Sequence, residues 1–274
     1  MLPAPVTPVG ETDAVVRFFD QRAAAYDREY DDESPGGYAL RIRRRKVMDL
    51  FDGDGGKVLD VGCGPGMMAS EVLRRDCEFW GVDPSENMID ICRSRFGTVK
   101  RAHFVIADAL NLGLPDASFD LVMCMGVMDA LQDRQLAVRE MIRVLKPGGT
   151  LIITFTSQSS PYAVWKRNIF YPLVSVWHRL LAKIQGKPGP VLQLGGKTRS
   201  HYSERSAGEL IESEGPAIVA SERFYYNPFL SPIDEIFPRL TLRGVRAIEE
   251  GKWDAPAWIA VGFILKARKP GAPG

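Results

Sequence analysis

Residues 57–66, KVLDVGCGPG, carry a short apolar strand directly into a turn with glycine at every second position. Gly62, Gly64 and Gly66 lack a Cβ atom, so the backbone there can adopt a positive φ and approach a bound molecule closely. An acid, Asp60, lies within the apolar run, where a carboxylate suits an ammonium group better than a pyrophosphate. The stretch therefore predicts a strand followed by a turn whose backbone contacts a ligand.

The glycine spacing separates two kinds of cofactor site. A dinucleotide fold carries G-x-G-x-x-G or A, and the third small residue lets a helix pack tightly on the strand. In this chain that position is Met67. The segment instead resembles the motif of class I S-adenosylmethionine (SAM) dependent methyltransferases, in which an acid is followed by G-x-G-x-G. The resemblance implies SAM as the cofactor.

Further motifs extend the resemblance over about residues 55–157. Ser85-Glu86-Asn87-Met88-Ile89 looks like the family's D-x-S-x-x-M-I continuation, and residues 143–149, RVLKPGG, resemble a later family motif. Tyr26-Asp27 resembles an upstream helix that closes over SAM in the ubiquinone and menaquinone methyltransferase group. Packing alone is the alternative role for Tyr26.

Apolar runs alternate with helical patterns from Lys57 onward, which predicts βαβ units and a mostly parallel sheet. Predicted strands are 57–61, 78–82, 102–106, 119–124, 150–155, 219–226 and 258–267, and predicted helices are 12–30, 38–51, 66–75, 85–96, 133–145, 205–213 and 234–250. With the resemblance, this predicts an α/β, Rossmann-like fold with a seven-stranded, mostly parallel sheet and helices on both faces. The resemblance also implies an antiparallel last strand.

We expect one methyltransferase domain over residues 12–268 between loose tails at 1–11 and 269–274. Within it we expect an N-terminal helical cap (12–52), a SAM-binding core (55–157), an insertion after strand five that caps the substrate (158–203), and the C-terminal part of the sheet (204–268).

The residues that follow the strands should contact the cofactor, because ligands of open parallel sheets lie beyond the carboxyl ends of the strands. Asp83, after strand two, can accept hydrogen bonds from both ribose hydroxyls. The resemblance implies that Asp108 binds the adenine amino group, with Ala109 and Leu110 beside the ring, and that Met125 faces the methionine part. The full predicted cofactor set is Tyr26, Asp60, Gly62, Cys63, Gly64, Gly66, Asp83, Pro84, Met88, Asp108, Ala109, Leu110 and Met125.

Methyl transfer from a sulfonium is an in-line displacement, and a hydroxyl or acidic carbon nucleophile also needs a general base. Asp129 stands where many relatives have histidine after strand four, and His201 precedes the helix at 205–213. Each is a candidate catalytic base, with a surface or capping role as the alternative. The sequence shows no metal-binding signature, so we predict no metal site.

Composition and net charge limit the kinds of partner that this chain is expected to bind. The chain has 274 residues, 45% apolar side chains and a formal net charge of +1, which disfavours a nucleic-acid partner. The N/D-P-P-Y/F motif that would indicate a nucleic-acid substrate is also missing after strand four. The four cysteines of the chain lack the spacing of a zinc site, and they fit reduced thiols in a cytoplasmic protein.

The insertion after strand five has an unusual charge pattern. No acidic residue occurs between Glu140 and Glu204, whereas nine lysines and arginines do, and residues 162–184 are rich in aromatic side chains. Three interpretations stay open: a cap over a lipophilic acceptor, peripheral contact with the inner face of the membrane through residues 162–184, or a packing helix with a solvated basic side.

The sequence as a whole favours SAM-dependent methyl transfer to a small or lipid-like acceptor, most directly on oxygen. Two alternatives stay open: a non-catalytic SAM-binding protein and an NAD-dependent oxidoreductase. The second shares the fold and Asp83 but leaves Asp60, Met67 and Asp108 unexplained. The sequence leaves the acceptor and the oligomeric state open.

Overall fold

A computed structural model describes residues 11–53, 55–170, 172–174, 176, 202–230 and 232–271. Seven strands form one sheet in the order β3-β2-β1-β4-β5-β7-β6. Strands β1 to β5 run parallel, whereas β7 is antiparallel to both β5 and β6, so the predicted fold class and the predicted last strand are confirmed. The strands are β1 Lys57–Val61, β2 Glu78–Asp83, β3 Ala102–Ile106, β4 Phe119–Cys124, β5 Leu145–Thr156, β6 Ala217–Tyr226 and β7 Ala260–Arg268.

The helices cover both faces of this sheet. Short polar side chains begin several of them: Ser85 caps α4 by accepting the Met88 N–H, and Asp133 caps α5 by accepting the Leu136 N–H. The helices are α1 Glu11–Glu29, α2 Pro35–Asp49, α3 Ala69–Leu73, α4 Glu86–Phe96, α5 Arg134–Val144, α6 Pro161–Trp165, α7 Glu204–Glu212, α8 Ile233–Ile236 and α9 Pro238–Glu249. A π-helical turn, Lys166–Phe170, continues α6, and 3-10 turns occur at Met128–Ala130 and Ala257–Ile259.

Most predicted boundaries shift by up to three residues, and three segments differ more clearly. Helix α3 begins only at Ala69, because the glycine turn occupies the residues before it. The predicted helix 234–250 is divided into α8 and α9 at Phe237. Strand β5 begins at Leu145, which pairs with Phe119, and the register shifts before Thr150 pairs with Leu121. Residues 146–149, which lie between the predicted helix 133–145 and the predicted strand 150–155, are therefore an irregularity within the strand.

Two clusters of buried side chains, one on each face, hold the layers together. One face is packed by α5 and α7 against β4 and β5, with Leu59, Val122 and Ile153 fully buried. The other face is packed by α2, α3 and α9 around Phe79, Met123 and Ile264. Helices thus cover both faces of the central strands, and a ligand would reach the sheet at the strand ends.

The N-terminal cap is fastened to the sheet through α4. The Asp20 carboxylate accepts the Ser85 hydroxyl at 2.6 Å and the Asn87 N–H at 3.1 Å, and Asp27 forms an ion pair with Arg95. Helix α1 therefore lies across the carboxyl end of β2.

Lys269, which the prediction places in the loose tail 269–274, is tied to the core by hydrogen bonds. The Lys269 ammonium donates to the carbonyls of Ile142 and Leu145 at 2.6 and 2.7 Å, and the Gly148 N–H donates to the Lys269 carbonyl. Lys269 thereby fixes the irregular start of β5.

Within the described residues, every helix is too short or too polar to cross a membrane. The same part of the chain brings no three histidine, cysteine or carboxylate side chains together as a metal site.

Candidate functional site

The glycine turn after β1 is shaped as its sequence predicts. Gly62, Gly64 and Gly66 have φ values of +72°, +52° and +77°, in the region that side chains disfavour. A Cβ atom on Gly62 would lie 2.1 Å from Val127 Cγ2, and one on Gly66 would lie 3.0 Å from Cys92 Sγ. No side chain fits at either position without a shift, so the close packing of the turn requires glycine there.

Asp60 lies in the middle of β1 and is almost completely buried. Neither carboxylate oxygen has a hydrogen-bond partner among the described residues. Burial, together with the nearby negative charge of Asp83, raises the pKa of Asp60 to about 7, although the positive charge of Arg43 opposes the shift. A buried carboxylate of this kind attracts a cationic ligand group.

Asp83 ends β2 directly beside the glycine turn. Its two carboxylate oxygens accept the Gly64 N–H and the Ser85 N–H, each at 2.9 Å. Burial raises its pKa to about 6, while these two backbone hydrogen bonds favour the ionised form. Asp83 therefore also holds the turn in shape, a role that the sequence did not predict. Each oxygen keeps further acceptor capacity for a ribose hydroxyl.

The remaining predicted cofactor residues lie at the same edge. Asp108 follows β3 and accepts the Leu110 N–H at 2.9 Å, which fixes a tight turn with Ala109 buried beneath it. Met88 is buried at the start of α4, and Pro84 is half-buried just before it. Met125 follows β4, and the next residue, Gly126, has a φ of +72° and donates its N–H to Thr154 Oγ1.

Cys63 is buried within the turn, as a small side chain was expected to be. A neighbouring Cys92 thiol and burial raise its pKa well above the usual range, so Cys63 stays a thiol and is a poor nucleophile. Burial likewise raises the pKa of Cys124.

Tyr26 lies above the turn, where a Cβ on Gly64 would be 3.8 Å from Tyr26 Cε1. Its ring stacks edge to face between Phe19 and Tyr30, with centroids 5.7 Å from each. Both the lid role and the packing role that the sequence allowed are therefore compatible with its position.

Arg43 of α2 is a site residue that the sequence analysis missed. A Cβ on Gly126 would lie 2.5 Å from the Arg43 guanidinium, which places that cation at the carboxyl end of β4. Burial lowers the pKa of Arg43, but the neighbouring hydroxyls of Tyr26 and Tyr30 outweigh this effect and raise it. The only sequence signal is the basic run 41–46, RIRRRK, which resembles a solvated helix face.

The structure describes one of the two predicted catalytic bases. The Asp129 carboxylate lies in the 3-10 turn after β4 and accepts the hydroxyl of Thr156, the last residue of β5. His201 lies outside the described residues. Neither base is tested by the geometry, and both stay predictions.

A cleft of about 630 Å³ opens next to these residues. Arg43 and Thr156 line it, so the cleft adjoins the cofactor edge through Gly126 on one side and Asp129 on the other. Apolar side chains form most of its wall, and α6, the π-helical turn and α8 add the polar side chains Tyr162, Lys166 and Asp234. The remaining lining residues are Ser34, Pro35, Gly36, Ala39, Leu40, Phe224, Tyr225, Pro238, Val261 and Gly262.

The donor set fits SAM. Asp60 could supply a buried carboxylate to the ammonium group, and Arg43 could supply a cation to the carboxylate of the same amino-acid part. Asp83 and Asp108 could accept hydrogen bonds from the ribose and the adenine, with the glycine turn beside Asp83. A pyrophosphate would instead meet two buried acids, Asp60 and Asp83, so the residues disfavour NAD.

Comparisons with known proteins agree with this assignment. Residues 59–153 match a family model described as a methyltransferase domain. The demethylmenaquinone methyltransferase of Staphylococcus aureus is 31% identical over 148 residues, which cover 53% of this chain and 59% of that relative. The chain thus spans about three fifths of the length of the curated relative that it matches.

Solved structures share the fold along most of the chain. The phosphoethanolamine N-methyltransferase 2 of Haemonchus contortus, solved with S-adenosyl-L-methionine, superimposes with a TM-score of 0.61 at 19% identity, covering 98% of this chain and 62% of that one. The [4+2]-cyclase SpnF superimposes with a TM-score of 0.60 at 20% identity, covering 98% and 100%. At such identities the likeness shows the fold alone.

Residues 59–153 thus match a methyltransferase domain in sequence, and the sheet order, the glycine turn and the acids at the strand ends fit SAM as the cofactor.

Proposed function

We propose that this protein transfers the methyl group of SAM to an oxygen atom of a small or lipid-like acceptor that binds in the cleft beside Arg43 and Thr156. The observation that carries the cofactor half of the proposal is the buried carboxylate of Asp60, which has no hydrogen-bond partner among the described residues. The observation that supports binding of an acceptor is the cleft.

Each cofactor residue has a separate task in this proposal. Asp60 and Arg43 hold the amino-acid part, Asp83 the ribose and Asp108 the adenine amino group. Tyr26 covers the turn and excludes water, because α1 is fastened to α4 through Asp20. The bound cofactor supplies an electrophilic methyl group, and these contacts orient that group toward the cleft.

The shape of the cleft supports a small or lipid-like acceptor. Leu40, Phe224 and Val261 give it apolar walls, and such walls bind apolar molecules through burial of their surface. Every residue that lines the cleft lies outside the matched segment 59–153. The family model therefore does not cover the cleft, and the acceptor depends on the regions that flank the matched segment.

Exposed apolar side chains support peripheral membrane contact as part of this proposal. Ile169 and Leu173 are exposed on the insertion after β5, and Ile236, Phe237 and Leu240 are exposed on α8 and α9. Both regions also contribute lining residues to the cleft. A lipid-like acceptor could thus enter from a bilayer surface through the same edge of the molecule. Residues 177–184 of the predicted contact segment lie outside the described residues.

Isothermal titration with S-adenosylhomocysteine and then with NADH tests the cofactor assignment. We expect micromolar binding of the first ligand, no binding of the second, and loss of the first in Asp60→Asn. Asp120→Asn is the matched control, because Asp120 faces the opposite end of β1, where it accepts the Lys57 N–H. Binding of NADH in place of S-adenosylhomocysteine would show an oxidoreductase.

Detection of methyl transfer separates an enzyme from a non-catalytic binding protein. Incubation with SAM carrying a labelled methyl group and a pool of phenols and lipid extracts should yield labelled ether products. Tight cofactor binding without any labelled product, across phenols and lipids alike, would favour the non-catalytic alternative.

A further inference from the structure

Three polar side chains meet in the acceptor cleft, and no role has yet been given to them. The Tyr162 hydroxyl donates to Asp234 Oδ2 at 2.6 Å and accepts from Lys166 Nζ at 2.8 Å. Lys166 Nζ lies 4.0 Å from the same carboxylate and 5.0 Å from the centre of the Tyr162 ring. We refer to Tyr162, Lys166 and Asp234 as the tyrosine cluster.

The cluster has a structural consequence of its own. It joins α6 and the π-helical turn on one side of the cleft to α8 on the other side. Asp234 is only 3% exposed, and a buried carboxylate needs a cation and hydrogen-bond donors near it. A clamp that needed only to close the cleft could be apolar, whereas this one places a chain of proton donors and acceptors on the cleft wall.

The order of the hydrogen bonds defines a direction for proton transfer. Tyr162 donates its proton to the buried carboxylate, so a proton arriving on its oxygen can be passed on to Asp234. Lys166 donates to the same tyrosine oxygen, and its positive charge favours negative charge on that oxygen as a proton leaves. The three side chains are thus arranged for a tyrosine that takes a proton from the cleft.

Resting on the proposed methyl transfer, we propose that Tyr162 is the general base of the reaction and that the acceptor atom is the oxygen of a phenol or enol. The acceptor O–H bond breaks and its proton moves to the Tyr162 oxygen while the Tyr162 proton moves to Asp234. An O–CH₃ bond forms as the C–S bond of the cofactor breaks, and the pair of electrons of that bond stays on sulfur. Asp234 ends the step protonated and later returns its proton to solvent.

Acidity selects this class of acceptor. A tyrosine has an ordinary pKa near 10, so it exchanges a proton readily with a phenol or an enol of comparable acidity. An alkyl alcohol holds its proton too tightly for this relay. A carboxylic acid is ionised at neutral pH without any base, and its charge would face Asp234. The opposite formal charges of Lys166 and Asp234 also suit an acceptor that arrives neutral.

Tyr162 would touch the acceptor, whereas Lys166 and Asp234 act through it as positioning residues. The sequence analysis named Asp129 and His201 as candidate bases and did not single out Tyr162. Tyr162 and Asp234 are 72 residues apart in the chain, so only the fold brings them together.

Two probes that differ by one methyl group test the proposal: 4-nitrophenol and its methyl ether, 4-nitroanisole. Both are titrated into the protein saturated with S-adenosylhomocysteine. We expect the wild-type protein to bind the phenol at least about tenfold more tightly than the ether, the ratio expected for one hydrogen bond to a charged network. Tyr162→Phe should reduce this ratio to near one. Tyr38→Phe is the matched control, because Tyr38 lies on α2 outside the cleft lining, beneath the Arg246 guanidinium.

The absorbance of the bound phenolate reports the proton itself. At a pH below the probe's own pKa, the wild-type complex should contain more phenolate than free solution does, and Asp234→Asn should abolish the excess. A purely structural clamp would not move this signal. Tyr162→Phe carries the test alone if Asp234→Asn does not fold.

Several results would overturn the proposal: equal binding of phenol and ether by the wild-type protein, discrimination that survives in Tyr162→Phe, or an unchanged phenolate signal in Asp234→Asn. Failure of the wild-type protein to bind S-adenosylhomocysteine is a different result, which overturns the proposed function at its cofactor site. If all variants still bind S-adenosylhomocysteine, any loss of phenol binding arises in the acceptor cleft.

Discussion

Replacing Asp60 with asparagine should stabilise the cofactor-free protein, and more strongly at pH 8 than at pH 5. The side chain is 1% exposed, its oxygens have no hydrogen-bond partner among the described residues, and its pKa is raised to about 7 by burial and by Asp83. The folded protein therefore holds this proton more tightly than the unfolded chain does. Unfolding at pH values between the two pKa values releases a proton, so stability falls as the pH rises through that window.

The expected magnitude follows from the two pKa values. The ordinary value is 3.8 and the folded value is about 7. Each pH unit between them is worth about 1.4 kcal/mol, so the ionised carboxylate costs about 4 kcal/mol of stability above pH 7. At pH 5 the cost is about 1.6 kcal/mol. Asparagine has no such charge, so the stability gain from Asp60→Asn should be about 2.5 kcal/mol larger at pH 8 than at pH 5.

Urea denaturation of both proteins at the two pH values measures this difference. Any constant cost of burying the asparagine amide is the same at both pH values and cancels. Asp120→Asn serves as the control, because Asp120 is an exposed partner of Lys146 and its pKa is lowered by that ion pair despite partial burial. A stability gain in Asp60→Asn that is equal at pH 5 and pH 8 would refute the assignment of a buried, uncompensated carboxylate.

Three further outcomes are expected from the same geometry. Affinity for S-adenosylhomocysteine should fall about tenfold from pH 8 to pH 6 in calorimetry, because the ammonium group needs ionised Asp60, and Asp120→Asn should keep this dependence. Arg43→Gln should weaken S-adenosylhomocysteine binding about tenfold or more. The same variant should bind 5′-methylthioadenosine, which lacks the carboxylate, as tightly as the wild type does. Arg45→Gln, on the exposed side of α2, should change the binding of neither ligand. Co-sedimentation with anionic vesicles should decrease in Phe237→Ser with Leu240→Ser, and equal sedimentation of variant and wild type would remove the membrane contact from this surface.

Local sequence was sufficient for most of the sheet. Strands β1, β3 and β4 begin and end at the predicted residues, because each is a short, mostly apolar run bounded by residues that form turns. The start of β5 was not predictable in the same way. Its first residues are held by Lys269, which is more than a hundred residues further along the chain.

The candidate site shows the same division between local and distant contacts. Asp60, Asp83 and Asp108 were found because each directly follows or lies within its own strand, and parallel strands bring their ends together. Asp83 had a second function, the hydrogen bond to Gly64, that its sequence position did not reveal. Asp129 was named as a candidate base from its position after strand four, but its hydrogen bond from Thr156 depends on the pairing of β4 with β5.

The sequence by itself determined most of the parallel sheet and the edge proposed to bind the cofactor, because a glycine turn and the strand-end acids are short-range features that need only one neighbouring strand to come together. The tertiary structure decided which side chains from distant segments meet at this edge and in the cleft. Arg43 could not be told from its basic neighbours until α2 packed against the sheet and turned one of them inward toward Gly126. Tyr162 and Asp234 became partners only when α6 and α8 met across the cleft, since a hydrogen bond between distant segments leaves no periodic pattern in the sequence.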